Sequence, residues 1–189
     1  MARPSNTNER RAQIATGLMK VMAKRGYAGA SIADVASAAR LTSGLVHYHF
    51  KDKREILLAA LAALVARHDA RLEQALGRAE NGPAGEVNAF IEFHLGLGAD
   101  ADPQALACWI LFSAEALRDG KVRSEYEKAI ASTVARLEEA IERGVERAVF
   151  RCEDVPAAAS ALVATIHGYF VLAATSPSLV PRGSAAGSA

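Results

Sequence analysis

The sequence predicts an all-helical fold of eight helices, and three observations carry that reading. Ser, Thr, Asp or Asn residues suited to cap a helix recur just ahead of apolar runs. Within those runs the apolar side chains repeat every three to four positions, and strand signals are absent. With 189 residues, 51% apolar and 23% charged, the chain is long enough to bury a core and is not a disordered tail. Fourteen glycines, six prolines and two cysteines exclude a collagen repeat and a disulfide scaffold.

The elements follow in order. Asn6 and Glu9 have capping-box spacing, Ile14, Leu18, Val21 and Met22 share a face, and Lys24-Arg25-Gly26 stops the first helix. Ser31 and Asp34 repeat that spacing ahead of a two-turn segment, Ile32 to Ala38, ending near Ala39-Arg40-Leu41. Thr42 caps a third short helix through His49. Asp52 and Glu55 open a long fourth one carrying Ile56, Leu57, Leu61, Leu64, Val65, His68 and Leu72. Pro83 suits the first turn of a fifth, with Val87, Phe90, Ile91, His94 and Leu95 on one stripe and Gly96 and Gly98 ending it. Asp102-Pro103 starts a sixth bearing Leu106, Trp109, Ile110, Phe112 and Leu117, which Asp119-Gly120 closes. Val122, Tyr126, Ile130, Val134, Leu137, Ile141 and Val145 mark the longest, with Glu139 and Arg143 one turn apart on its other face. Asp154-Val155-Pro156 opens the last, which runs to about Ala174.

Charge is divided unevenly. The first 53 residues hold nine lysines and arginines against three carboxylates, a net +6, and the overall +1 therefore leaves −5 on the remaining 136. A basic front on a mildly acidic body suits a polyanion at one end only. From Val155 to Val180 no side chain is charged, a length sufficient for a membrane span. That run is rich in Ala, contains Ser160, Thr165, His167, Gly168 and Pro177, and lacks an aromatic-basic belt at both ends. The expectation is a helix buried in a soluble assembly, with no membrane partner. Cys108 and Cys152 belong to no C-x-x-C pair, and the first ten residues hold no apolar run, so a cytoplasmic protein with reduced thiols is expected.

The strongest functional signal lies between Ser31 and Phe50. Two short helices joined by a tight turn have the layout of a helix-turn-helix whose second helix enters a major groove of double-stranded DNA. Gly44 lacks a side chain where that helix approaches the backbone, and Ser31, Thr42 and Ser43 offer donors to phosphates or base edges. His47, Tyr48, His49, Lys51 and Lys53 extend a basic and aromatic rim, with Lys53 in the first turn of the next helix. His47 and His49 stand two positions apart on a helix, about 200° around it, so they do not chelate one ion and no metal is expected.

The words Ser-Ile-Ala-Asp-Val-Ala and Thr-Ser-Gly-Leu-Val-His-Tyr-His-Phe-Lys-Asp-Lys-Arg-Glu-Ile-Leu resemble the tetracycline-repressor (TetR) family of transcriptional regulators over residues 8 to 60. The resemblance implies a helical homodimer with a three-helix DNA-binding head, a linking fourth helix, and a body that binds a small-molecule effector and dimerises. His47 departs from it, standing where the family more often has Tyr, although imidazole still donates one hydrogen bond. His-Tyr-His-Phe and the later Ala-Cys-Trp-Ile-Leu-Phe resemble the choline-responsive BetI branch, without naming the ligand.

The division expected is a DNA-binding domain over 1–52, a ligand-binding and dimerisation domain over 53–175, and a tail over 176–189. Phe90, His94, Cys108, Trp109, Phe112, Glu115, Tyr126 and His167 are the side chains that suit an apolar pocket with a few polar handles, though most aromatic residues at helical spacing belong to a core. Ala157, Ala161, Thr165 and Gly168 form a small-residue stripe on which a second copy can seat. No cofactor is implied. An enzyme lacks support, because there is no His-Glu-x-x-His, nucleophile elbow or Gly-rich phosphate loop. A constitutive DNA-binding protein without an effector is the other alternative. In the tail, Leu-Val-Pro-Arg-Gly-Ser over 179–184 reads as a thrombin cleavage sequence or as native residues.

Overall fold

The computed structural model describes residues 6–96 and 102–180. Among these the chain folds as α1 (Asn6–Arg25), α2 (Ile32–Ala38), α3 (Ser43–His49), α4 (Lys53–Leu76), α5 (Gly82–Leu95), α6 (Pro103–Ala116), α7 (Gly120–Glu146) and α8 (Val155–Thr175). Gly98 and the part of the tail beyond residue 180 lie outside the described residues.

The caps explain most boundaries. Ser31 Oγ accepts from Asp34 N at 3.1 Å while Asp34 Oδ2 accepts from Ser31 N at 3.2 Å, a complete capping box at α2. Thr42 Oγ1 accepts from Leu45 N at 3.3 Å at α3, and Asp154 Oδ1 accepts from Ala157 N at 3.0 Å at α8. Three expectations change. Asn6 is already a helical residue of α1. Asp119 does not close α6; its carboxylate opens α7 by accepting from Lys121 N at 2.9 Å and Val122 N at 3.2 Å. Leu117 lies beyond the end of α6 and is 77% exposed, so it leaves the apolar stripe the sequence placed it on.

Two compact units emerge, one containing residues 1–67 and 103–127, the other 68–102 and 128–189. In the first, α1 packs on α2, α3 and α6, and α2 packs on α3. Its core joins Leu18, Met22, Val35, Val46, Phe50, Leu57, Leu61 and Phe112, among others; burying one such side chain contributes about 1.5–3 kcal/mol. The turn between α2 and α3 is closed by Leu41 N donating to Ala36 O at 2.9 Å, with Arg40 at φ 56°. That is a helix C-terminal motif with a non-glycine residue in the left-handed position.

In the second unit α5 packs on α8 around Leu72, Phe90, Leu137, Ile141, Val163 and Ile166. Phe150 folds back over Gly144, where an added Cβ would come within 2.0 Å of the ring. By length and composition α8 could cross a membrane, and only 22% of its most apolar window is buried within the chain. Ala157, Ala161, Thr165 and Gly168 are all exposed.

Candidate nucleic-acid interface

An isolated seven-residue helix is not stable in water, so α3 holds its place through what surrounds it. Val46 anchors its inner face at 1% exposure and Phe50 plugs the core just after its end. Helical periodicity then turns Thr42, Ser43, Gly44, His47 and Tyr48 outward, and all five are exposed. Tyr48 is 80% exposed, its ring held edge-on by His49 at 5.1 Å between centroids. No added Cβ would meet a neighbour at Gly44, so the face is open there. An exposed aromatic, two hydroxyls and an imidazole on one two-turn helix are suited to reading a groove edge.

The remaining interface residues divide. Lys51 is exposed beside α3. Ser31 spends its hydroxyl on its own helix, donating to Asp34 Oδ2 at 2.6 Å, and this bond is the main reason the Asp34 carboxyl stays below its ordinary range. Lys53 Nζ donates to the Tyr27 and Ala30 carbonyls at 2.9 and 3.0 Å and lies 4.4 Å above the Tyr27 ring. Two of its three donors therefore close the α1–α2 connection, and one remains for a phosphate. Burial, and then the Glu115 carboxylate, push the Tyr27 hydroxyl up to about 12. Among the described residues no group of three potential ligands is placed to hold a metal ion.

Sequence reasoning missed the side chains that hold this motif. Gln13 Nε2 on α1 donates to Ala39 O at 2.6 Å, at the C-terminal end of α2. Arg11 donates to His49 O at the end of α3 and to Glu55 Oε1 at 3.1 Å. Glu55 also accepts from Lys51 N at 2.8 Å, the leading cause of its lowered pKa. The basic character of α1 was visible, but not which of its side chains turn inward.

Residues 14–60 match the family described as bacterial regulatory proteins, tetR family, and residues 83–187, more than half the chain, match the BetI-type transcriptional repressor C-terminal family. The chain is a TetR-family transcriptional regulator. It is not an enzyme. The regulator is 26% identical to BetI of Rhizobium meliloti over 164 residues, covering 86% of this chain and 76% of that one. It is 39% identical to TtgR of Pseudomonas putida over 61 residues, 32% of this chain and 29% of the relative, so that match spans under a third of the relative's length. Its fold superposes on a regulator from Saccharomonospora viridis in complex with choline, with a TM-score of 0.81, 26% identity and coverage of 89% and 87% of the two chains.

In the regulator, the eight side chains suited to a pocket fall into separate units. In the first, Cys108 and Phe112 are wholly buried, and Trp109 meets Tyr126 edge-on at 6.0 Å. Glu115 turns to Arg118 at 3.7 Å and toward Tyr27. In the second, Phe90 and His94 are buried, and His167 is half-buried with Nδ1 donating to Val163 O at 2.9 Å. His94 Nδ1 donates to Phe90 O at 2.8 Å, and its Nε2 lies 3.1 Å from His68 Nε2. A surface groove of about 580 Å³ in this unit is lined by Glu73, Glu86, Arg136, Glu139 and Arg143 among others, and by none of the eight.

Proposed function

We propose that this regulator is a ligand-responsive repressor that binds a near-palindromic operator as a homodimer in the cytoplasm and is released by a small molecule bound in its body. The outward face of α3 is the observation that carries the reading. Thr42, Ser43, Gly44, His47 and Tyr48 read the operator, Ser31, His49, Lys51 and Lys53 border the contact, and residues 1–52 form the DNA-binding domain. One two-turn helix reads too few base pairs for useful specificity, so two half-sites about 34–36 Å apart are needed.

The exposed stripe of Ala157, Ala161, Thr165 and Gly168 supports dimerisation over 53–175, since a largely uncovered apolar helix is stable in water only when a partner covers it. The effector is a small cation in the first instance, because the similar Saccharomonospora viridis regulator holds choline and Trp109 and Tyr126 supply adjacent rings. α4 is one continuous helix from Lys53 to Leu76, and it carries the signal to the head. A ligand preferring the operator-incompetent state by roughly 100-fold shifts the balance by about 2.7 kcal/mol.

The test is selection of duplexes by the full chain from a random pool, followed by titration of the complex with choline. An enriched palindrome released by choline in the parent, with release lost in Trp109→Ala, supports the reading. An enriched palindrome that neither choline nor related quaternary amines release leaves a constitutive DNA-binding regulator.

A further inference from the structure

We propose that Arg11 is the positioning residue of the recognition helix, setting the angle at which α3 presents Ser43, His47 and Tyr48 to DNA. The inference rests on the DNA-binding reading above. Seven residues span about 10 Å, and a helix so short takes its direction from whatever holds its two ends. The N-terminal end is held locally, by Thr42 Oγ1 accepting from Leu45 N. At the other end the last carbonyls have no partner within the helix.

One guanidinium supplies what is missing there. Arg11 Nη1 donates to the carbonyl of His49, the last residue of α3. Its Nη2 donates to Glu55 Oε1 at 3.1 Å on α4, and its central carbon lies 4.0 Å from the centroid of the Phe50 ring in the connecting turn. Glu55 completes the link by accepting from Lys51 N at 2.8 Å. Helix α1, the end of α3, the turn and the start of α4 thus meet on a single side chain. A positive charge at a helix C-terminus is also favoured by the helix dipole.

Geometry separates this role from direct phosphate binding. Each terminal nitrogen of Arg11 gives a hydrogen bond to a partner within the protein while the side chain stays 36% exposed, whereas Tyr48 and Lys51 face outward. Lysine is a poor substitute, because a point-like ammonium neither forks between a carbonyl and a carboxylate nor lies flat on a ring. A helix that loses this tie still carries its charges near DNA but no longer aims its side chains. Base discrimination therefore falls while non-specific, salt-dependent attraction stays.

The experiment compares Arg11→Lys, Arg11→Ala and Glu55→Gln with the parent, as full chains, at a temperature where each keeps the parent's helical circular dichroism. Two probes are used: a duplex enriched by the parent from a random pool, and a scrambled duplex of equal length. Affinity for the enriched duplex falls by about tenfold or more in each variant, and affinity for the scrambled one and both salt slopes stay as in the parent. Amides of residues 46–50 exchange faster, and those of α2 do not. If Arg11→Ala does not fold, Arg11→Lys and Glu55→Gln decide the matter.

Equal losses on both duplexes with a shallower salt slope would make Arg11 a phosphate contact and overturn the proposal. Unchanged affinity with unchanged exchange would overturn it too. A parent that enriches no sequence removes the DNA-binding reading, and the exchange measurement still reports whether Arg11 holds α3.

Discussion

Gly17 of α1 lies directly against Val35 of α2: a Cβ at position 17 would approach the Val35 carbonyl oxygen to 2.8 Å and the Ala39 Cβ to 3.0 Å. The obstacle is helix backbone, which does not swing aside. Gly17→Ala therefore prises α1 from α2 at the base of the recognition motif and costs about 1–3 kcal/mol. A thermal melt of the variant beside the parent checks this, and an unchanged midpoint would show that the two helices part freely.

Tyr48 and Lys53 separate binding from stability. Tyr48 touches little of its own chain, so Tyr48→Ala leaves stability within about 0.5 kcal/mol while weakening operator binding. Lys53→Ala removes the ties to the Tyr27 and Ala30 carbonyls and costs about 1 kcal/mol of stability as well as affinity. Urea midpoints measured alongside binding isotherms distinguish the two. Equal operator affinity in both variants and the parent would remove these residues from the interface.

Acid should loosen the second unit. His94 is 4% exposed, and burial pushes its imidazole down to about 3; burial also lowers His68. A histidine whose folded pKa lies below its unfolded value of about 6.5 contributes fully above that pH and less as pH falls toward the folded value. For His94 alone the loss approaches about 1.4 kcal/mol per pH unit below about 6. Urea unfolding at pH 7.5 and pH 5 is expected to show lower stability at pH 5, with a smaller difference in His94→Gln. Equal pH dependence in variant and parent would mean that His94 charges in place.

Ala161 is exposed on α8, so a larger side chain there starts at the surface of the single chain. Ala161→Trp is expected to leave the monomer fold intact by circular dichroism while overpacking the dimer seam, so that it sediments as a monomer at micromolar concentration where the parent is a dimer. A parent that sediments as a monomer would count against dimerisation through this stripe.

Local chemistry determined the helices. The Ser31–Asp34 box, the Thr42 and Asp154 caps and the three-to-four spacing act within a few residues of themselves, so the eight elements and the two short helices of the recognition motif were legible in the chain. Where two local signals competed, as at Asp119 between the end of α6 and the start of α7, the packing of Val122 into the core chose the second. What only tertiary structure decided was partnership at long separation. Arg11 meets Glu55 across 44 positions, Gln13 meets Ala39 across 26, and His68 meets His94 across 26. A charge or an amide on an exposed-looking helix face has many possible partners in sequence, and only the approach of backbones, permitted at Gly17 and set by buried Val46 and Phe50, selects one.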